Sequence, residues 1–301
     1  MTSRPSVLVL GEALIDIVER EGGDVEFVGG SPANVAVGIA RQDIATHLLT
    51  RLGRDDRGRC IADQVTASGA LIHDASWTDV ATSTARARLR ADGSAAYEFD
   101  IVWALDAEAA AEAAEAASVV HSGSIALFLQ PGGEVALSTL ERAKRAGTIV
   151  TVDPNVRPAL VGSDPRPVAE RAFTAATLVK LSDEDAEALY PGVSAARVLE
   201  TIAALGPRVV VMTRGGEGAL ALGPSGVVDV APLVVEVADT IGAGDAFMAS
   251  LITSVVDDAD LLGGDVAALH RALRRAAVTA GITVSRPGAN PPTRAEVDAA
   301  V

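Results

Sequence analysis

Ile149-Val150-Thr151-Val152-Asp153-Pro154-Asn155-Val156-Arg157-Pro158 reads as a β-branched run that stops at a carboxylate, an amide and a guanidinium. A run apolar along its length, rather than at every second position, suits a strand buried on both faces. The signature recurs in Val7 to Leu10, Val119 to His121, Leu178 to Leu181 and Val209 to Thr213, with alanine-rich helical patterns between them. Such strands alternating with helices imply a mainly parallel, doubly wound α/β sheet flanked by helices. Ligands of that class bind beyond the carboxyl ends of the strands, which makes Asn155 and Arg157 binding candidates and Arg157 a candidate phosphate clamp. A proline-punctuated loop with a solvated ion pair is the plainer alternative.

At 301 residues the chain can bury a substantial core, and its length fits one α/β domain with a small appendage as well as two domains. No internal repeat divides it, and no linker is rich enough in proline or glycine to do so, so one domain over residues 1–301 is expected. The formal charge of -15, with Lys144 and Lys180 as the lysines, argues against a broad surface for nucleic acid or anionic membrane. A lone Cys60 cannot form an internal disulfide; it reads as a small core residue in a chain of the reducing cytoplasm. Val7 to Leu10 is too short for a signal peptide's apolar region, and a soluble protein is expected. The histidines are scattered and no cluster has metal-binding spacing, so no metal ligand is assigned. Magnesium arriving with a nucleotide needs no dedicated cage.

Between Thr84 and Phe99 the pattern changes. Ala85, Ala87 and Leu89 alternate with Thr84, Arg86, Arg88 and Arg90 before Asp92-Gly93, a hairpin signature with one polar face. It reads as a solvated edge or as a lid that closes over a site. Ala104 to Ala117, with Asp106, Glu108, Glu112 and Glu115, reads as an exposed helix without a functional role.

Asp239-Thr240-Ile241-Gly242-Ala243-Gly244-Asp245-Ala246-Phe247 precedes the apolar helical pattern Met248 to Val256. Small residues before a helix let backbone N–H groups converge on an anion. Asp245, just inside the helix start, could take a proton from an attacking hydroxyl during phosphoryl transfer. An N-capping aspartate on an ordinary glycine turn is the alternative. Near the N-terminus, Gly29-Gly30-Ser31-Pro32-Ala33-Asn34 opens a helix of small and apolar residues. Gly29 and Gly30 admit a ligand close to the backbone and Asn34 offers donor and acceptor, unless Ser31 is simply an N-cap with Pro32 as the first helical residue. Asp16 follows the first strand in Gly11-Glu12-Ala13-Leu14-Ile15-Asp16, where a carboxylate could accept from two sugar hydroxyls. Thr213-Arg214-Gly215-Gly216-Glu217-Gly218 follows another strand and fits a nucleotide loop or a hairpin turn, but not a Walker loop.

In order and company, these motifs resemble the ribokinase-like, or PfkB, family of carbohydrate kinases over nearly the whole chain. Gly29 to Asn34 is similar to its N-terminal sugar-binding signature, and Asp239 to Asp245 to its C-terminal D-T-x-G-A-G-D signature. The resemblance implies an ATP-dependent kinase with Asp245 as base and Gly242, Ala243 and Gly244 as the anion hole. It implies a sugar site from Asp16, Gly29, Gly30, Asn34, Arg86, Asn155 and Arg157, under a small antiparallel lid formed near 12–30 and 84–103. It places ATP near Lys180, Ser182, Asp185, Thr213, Gly216 and Gly218, with Ser182-Asp183-Glu184-Asp185 standing where many members carry N-x-x-E. Mg2+ comes with ATP; K+ would bind between the Asp239 loop and Ser285-Arg286-Pro287-Gly288-Ala289, where Pro292 replaces a side-chain oxygen. Bacterial fructokinases are the nearest pattern, with ketodeoxygluconate kinases, ribokinases and nucleoside kinases as alternatives, the last needing a platform such as Tyr97, Phe99 and Trp103. A silent sugar or nucleotide sensor is the alternative of another class. A homodimer through the lid is expected, and no nucleic acid or membrane partner.

Overall fold

The apolar runs become neighbours. In the computed structural model, which describes residues 6–19, 23–89, 95–162 and 164–301, the strands Val209–Thr213, Leu178–Ser182, Ile149–Asp153, Val119–Gly123 and Ser6–Leu10 lie side by side in a nine-stranded sheet. Each is parallel to the next. Ala45–Leu49 and Leu71–Ile72 extend one edge. The hairpin Ala219–Gly223 with Gly226–Val230 completes the other edge antiparallel.

Alternation along each strand divides the interior. Val7 and Val9 face a core with Ile39, Phe247, Met248 and Leu273, from the helices Ser31–Ala40, Ala243–Asp257 and Val266–Val284. Leu8 and Leu10 face a second core with Leu137, Phe173 and Leu199, from Gly132–Arg145, Arg166–Ala175 and Ala195–Ala203. Burial on both faces is why these strands carry no polar alternation.

From Ser6–Leu10 the chain builds outward to Ala45–Leu49 and then returns on the opposite side at Val119–Gly123. The strand order reverses there, which opens a crevice at the carboxyl ends of the two strands. Leu10 is in register with Ser122, so Gly11 to Ala13 and the turn Ser124–Leu127 meet across that crevice. The helices Ser31–Ala40 and Ala243–Asp257 pack close together, because a Cβ at Gly38 would lie 2.7 Å from that of Ala249.

A four-stranded sheet sits apart, in the order Val25–Gly29, Leu14–Val18, Thr84–Leu89, Ala95–Asp100. Its outer pairs are antiparallel and its central pair is parallel. Leu14, Asp16, Gly29, Ala85 and Phe99 share one face, while Ile15, Ile17, Thr84 and Arg86 share the other. Leu14 and Ala85 pack on Ile125, beside Phe99, Ile101 and Leu160. Arg90 and the Asp92-Gly93 turn lie outside the described residues.

Two expectations are corrected. Cys60 is exposed on the helix Asp56–Ala67 and is no core residue, because the buried positions of that helix are Gly58, Ile61 and Val65. The helix expected over Ala104 to Ala117 spans Ala107–Glu115 with Asp106 as its N-cap, and it buries Ala110 and Ala114 against the neighbouring helix layer.

Candidate active site

The helix Ala243–Asp257 begins at Gly242, whose left-handed φ of 76° makes it the N-cap without any side-chain hydrogen bond. Asp245 is therefore not an N-cap. Its carboxylate accepts from Ser31 Oγ at 2.6 Å and from Asn34 Nδ2 at 2.9 Å. The other helix, Ser31–Ala40, starts at Gly30 with φ 105°, a conformation that leaves the Ser31 hydroxyl free to reach across rather than to cap. Two helix starts thus converge, with a carboxylate held between neutral donors. First-turn N–H groups lack intrahelical acceptors, so this is a place for an anion beside a proton acceptor.

Behind the glycine turn lies a buried ion pair. Lys180 Nζ is 2.8 Å from Asp153 Oδ2, and both side chains are nearly inaccessible. A Cβ at Gly244 would lie 3.1 Å from Lys180 Nζ, so the ammonium sits directly against the turn. Burial pushes the Asp153 carboxyl up to about 6, with Lys180 opposing and Asp185 and Asp245 reinforcing. The Lys180 ammonium is held above its ordinary range: burial works against the charge, but Asp153, Asp185 and Asp245 together outweigh it. His121, buried with Nδ1 3.0 Å from Thr151 Oγ1, is pushed down to about 3 by burial and stays neutral.

Asp185 is buried and its oxygens are taken by the chain's own donors. Oδ2 accepts from Ser182 N at 2.9 Å and Ser182 Oγ at 2.7 Å, a capping box for the helix Asp183–Leu189, and Oδ1 accepts from Val156 N at 2.7 Å. It fixes the loop that carries Asn155, itself at a positive φ of 35°, and the exposed Arg157. Phosphate or magnesium would have to displace these bonds to reach Asp185. Among the described residues no group of three His, Cys, Asp or Glu could hold a metal.

Asp16 faces Arg157 across the crevice. Surrounding protein raises its carboxyl above the usual range and the Arg157 charge partly restores it. A Cβ at Gly29 would lie 2.1 Å from Asp16 Oδ2, so Gly29→Ala must push the carboxylate aside. On the expectation from the resemblance that Asp16 binds a sugar, steady-state kinetics of Gly29→Ala should show the acceptor KM raised about tenfold or more, the loss of a hydrogen bond to a charged group, with melting temperature little changed.

Arg86 is not brought to this cluster. It lies on the face of the small sheet opposite Asp16 and pairs with Asp24 at 2.5 Å and Glu19 at 3.2 Å. Trp103 is also withdrawn: it is buried, donates from Nε1 to Ala126 O at 2.9 Å, and packs on Gly132. The Tyr97 side chain lies outside the described residues. Thr213 ends its strand with Oγ1 3.5 Å from Leu181 O, and the turn that follows, joining Val209–Thr213 to Ala219–Gly223, exposes Gly216 and buries Gly218. The Asp239 carboxylate accepts from Ile241 N at 3.0 Å and Gly288 N at 2.9 Å, tying the glycine turn to the C-terminal segment. Those N–H groups hold its carboxyl below the ordinary range.

Ser31 was legible only as a helix-start residue, and Glu12 carried no functional sign at all. Glu12 is buried at the crevice, and burial pushes its carboxyl up to about 8. Its Oε2 accepts from Ala126 N at 3.1 Å.

A doubly wound sheet whose carboxyl edge carries a glycine-turn helix start with an aspartate inside it, beside a small accessory sheet, defines the ribokinase-like class of α/β proteins. The chain belongs to the pfkB family of carbohydrate kinases, whose family model matches residues 4–296. It is 32% identical to fructokinase-1 of Oryza sativa subsp. japonica, over 99% of this chain and 98% of the relative. A fructokinase from Xylella fastidiosa with bound ATP superposes with TM-score 0.86 at 26% identity, covering 98% of both chains. A fructokinase from Vibrio cholerae O395 with fructose, ADP and calcium superposes with TM-score 0.84 at 27% identity, covering 99% of both chains. No helix among the described residues is long and apolar enough to cross a membrane.

Proposed function

We propose that this chain is an ATP-dependent sugar kinase with fructose as its preferred acceptor. The carrying observation is the Asp245 carboxylate, held by Ser31 and Asn34 at the start of a helix whose glycine turn rests on the Lys180 ammonium. The fructokinases among its relatives, one of them seen with fructose and ADP, support the choice of acceptor.

In this reading the sugar lies between the small sheet, acting as lid, and the carboxyl ends of the central strands. Asp16 accepts from its hydroxyls and Asn34 and the Gly29-Gly30 backbone complete the contact. Asp245 takes the proton of the attacking hydroxyl while the sugar oxygen bonds to the γ-phosphorus and the bond to the bridging oxygen breaks, releasing ADP. N–H groups of the Gly242 to Gly244 turn receive the charge on the transferring phosphoryl oxygens, with Lys180 behind them and Arg157 at the mouth. Mg2+ bound with the nucleotide neutralises phosphate charge. The withdrawn Trp103 removes part of the platform a nucleoside base would need, which favours a sugar over a nucleoside.

A coupled ADP-release assay with ATP and magnesium tests this across fructose, ribose, 2-keto-3-deoxygluconate, adenosine and a no-sugar control. Fructose is expected to give the highest kcat/KM. Selectivity for another acceptor would overturn the fructose assignment, and folded protein without any acceptor-dependent turnover would favour a sensor.

A further inference from the structure

We propose that Glu12 is a positioning residue that works as the uncharged acid, fixing the turn Ser124–Leu127 against the acceptor pocket and sparing Asp245 a second negative neighbour. The pocket itself rests on the kinase reading above.

Glu12 follows the first strand at the point where the strand order reverses, and is 5% exposed. Its Oε2 accepts from Ala126 N at 3.1 Å, and the Ser124 side chain lies close enough to act on its carboxyl. Ala126 O in turn accepts from Trp103 Nε1 at 2.9 Å, so the backbone of Ala126 is held at both its N–H and its carbonyl. Ser124 has a positive φ of 55°, a conformation that persists for a non-glycine residue only where neighbours impose it. The residue after it, Ile125, packs on Leu14 and Ala85, which share the sheet face of Asp16. Glu12 therefore ties the first strand to the floor of the crevice.

Its surroundings favour the protonated form. On the helix Ala243–Asp257 the charged group that reaches it is Asp245. On the crevice turn it meets the Ser124 hydroxyl and the Ala126 N–H, donors that favour the charge but are outweighed by burial. The start of the helix Ser31–Ala40 is neutral there, with a Cβ at Gly30 placed 2.6 Å from Glu12 O and with Ser31 and Asn34 turned to Asp245. On the neighbouring strand ends, Asp153 and Lys180 pair with each other and act electrostatically on Asp245. Among the described residues no lysine or arginine forms an ion pair with Glu12. A buried carboxylate without a cation is costly, whereas a neutral acid both accepts and donates.

Ionisation of Glu12 would put a second negative charge beside Asp245, so kcat/KM for the sugar should fall above a pH of about 8. The folded chain holds a proton that the unfolded chain releases, so rising pH favours unfolding between the ordinary glutamate value of 4.5 and about 8.

The test compares wild type, Glu12→Gln and Glu12→Ala in acceptor kinetics and in thermal melting between about pH 5 and about pH 9.5. Glu12→Gln, which keeps shape and hydrogen bonds, is expected to retain KM within about threefold and to lose the alkaline fall. Glu12→Ala is expected to raise KM about tenfold with a smaller change in kcat. Wild-type melting temperature should decline toward alkaline pH more steeply than that of Glu12→Gln. An unchanged alkaline fall in Glu12→Gln, kinetics as poor as those of Glu12→Ala, or failure of Glu12→Gln to fold would overturn the proposal. If no sugar is turned over, the melting curves still decide whether Glu12 is the neutral acid: equal pH slopes reject it.

Discussion

Asp245→Asn is expected to lower kcat about 10^3-fold while KM for the sugar stays within a few-fold, as measured by steady-state ADP release and by direct sugar binding. The asymmetry follows from the contacts. Asparagine can turn its carbonyl oxygen to Asn34 Nδ2 and its amide toward Ser31 Oγ, since a hydroxyl accepts as well as donates. The two helix starts would keep their spacing, and Asp16 and the Gly29-Gly30 backbone would still be presented to the sugar. What is lost is a group that accepts a proton. A carboxylate in the first turn also favours the positive end of the helix, so a loss of about 0.5 kcal/mol in stability is expected, small enough to leave the protein folded. Turnover within tenfold of wild type would remove Asp245 as base.

The sequence made the central strands readable because burial on both faces keeps them mainly apolar, with few polar positions such as Thr151 and Lys180. It did not reveal Ala45–Leu49, where Thr46 and His47 interrupt the run although Thr46 is buried. The strand-end residues were readable for a related reason: polar side chains directly after a buried strand have few places to go except the carboxyl edge of the sheet. Partnerships were not readable. Ser31 meets Asp245 across 214 positions and Glu12 meets Ala126 across 114, and local pattern carries no information about contacts of that range. The alternation from Thr84 to Leu89 separated the arginines from the alanines, but it could not say which set meets the site. That depends on the register Asp16 to Ala85, which turns Arg86 away. Asp185 shows a different limit. Ser182-x-x-Asp185 is a capping-box spacing as well as a departure from a family motif, and in the fold both oxygens serve the chain itself.

Lys180 offers the second large effect, and one in which stability and chemistry separate. Lys180→Met leaves the Asp153 carboxyl buried without its cation, and Asp153 Oδ1 already has no hydrogen-bond partner among the described residues. Removing one member of a buried pair costs about 3–5 kcal/mol, a loss that urea unfolding would register as a lower midpoint. Replacing both, Lys180→Met with Asp153→Asn, removes the stranded charge and is expected to recover most of that loss, because two neutral groups of similar size need no counter-ion. Turnover should not return with it. The ammonium lies against Gly244, where the proposed anion hole forms, and methionine supplies no positive charge there. A double variant that regains both stability and kcat would make the pair purely structural and leave the glycine turn to hold the phosphoryl group alone. A single variant as stable as wild type would mean that Asp153 is protonated at little cost, in keeping with a carboxyl that burial already lifts to about 6.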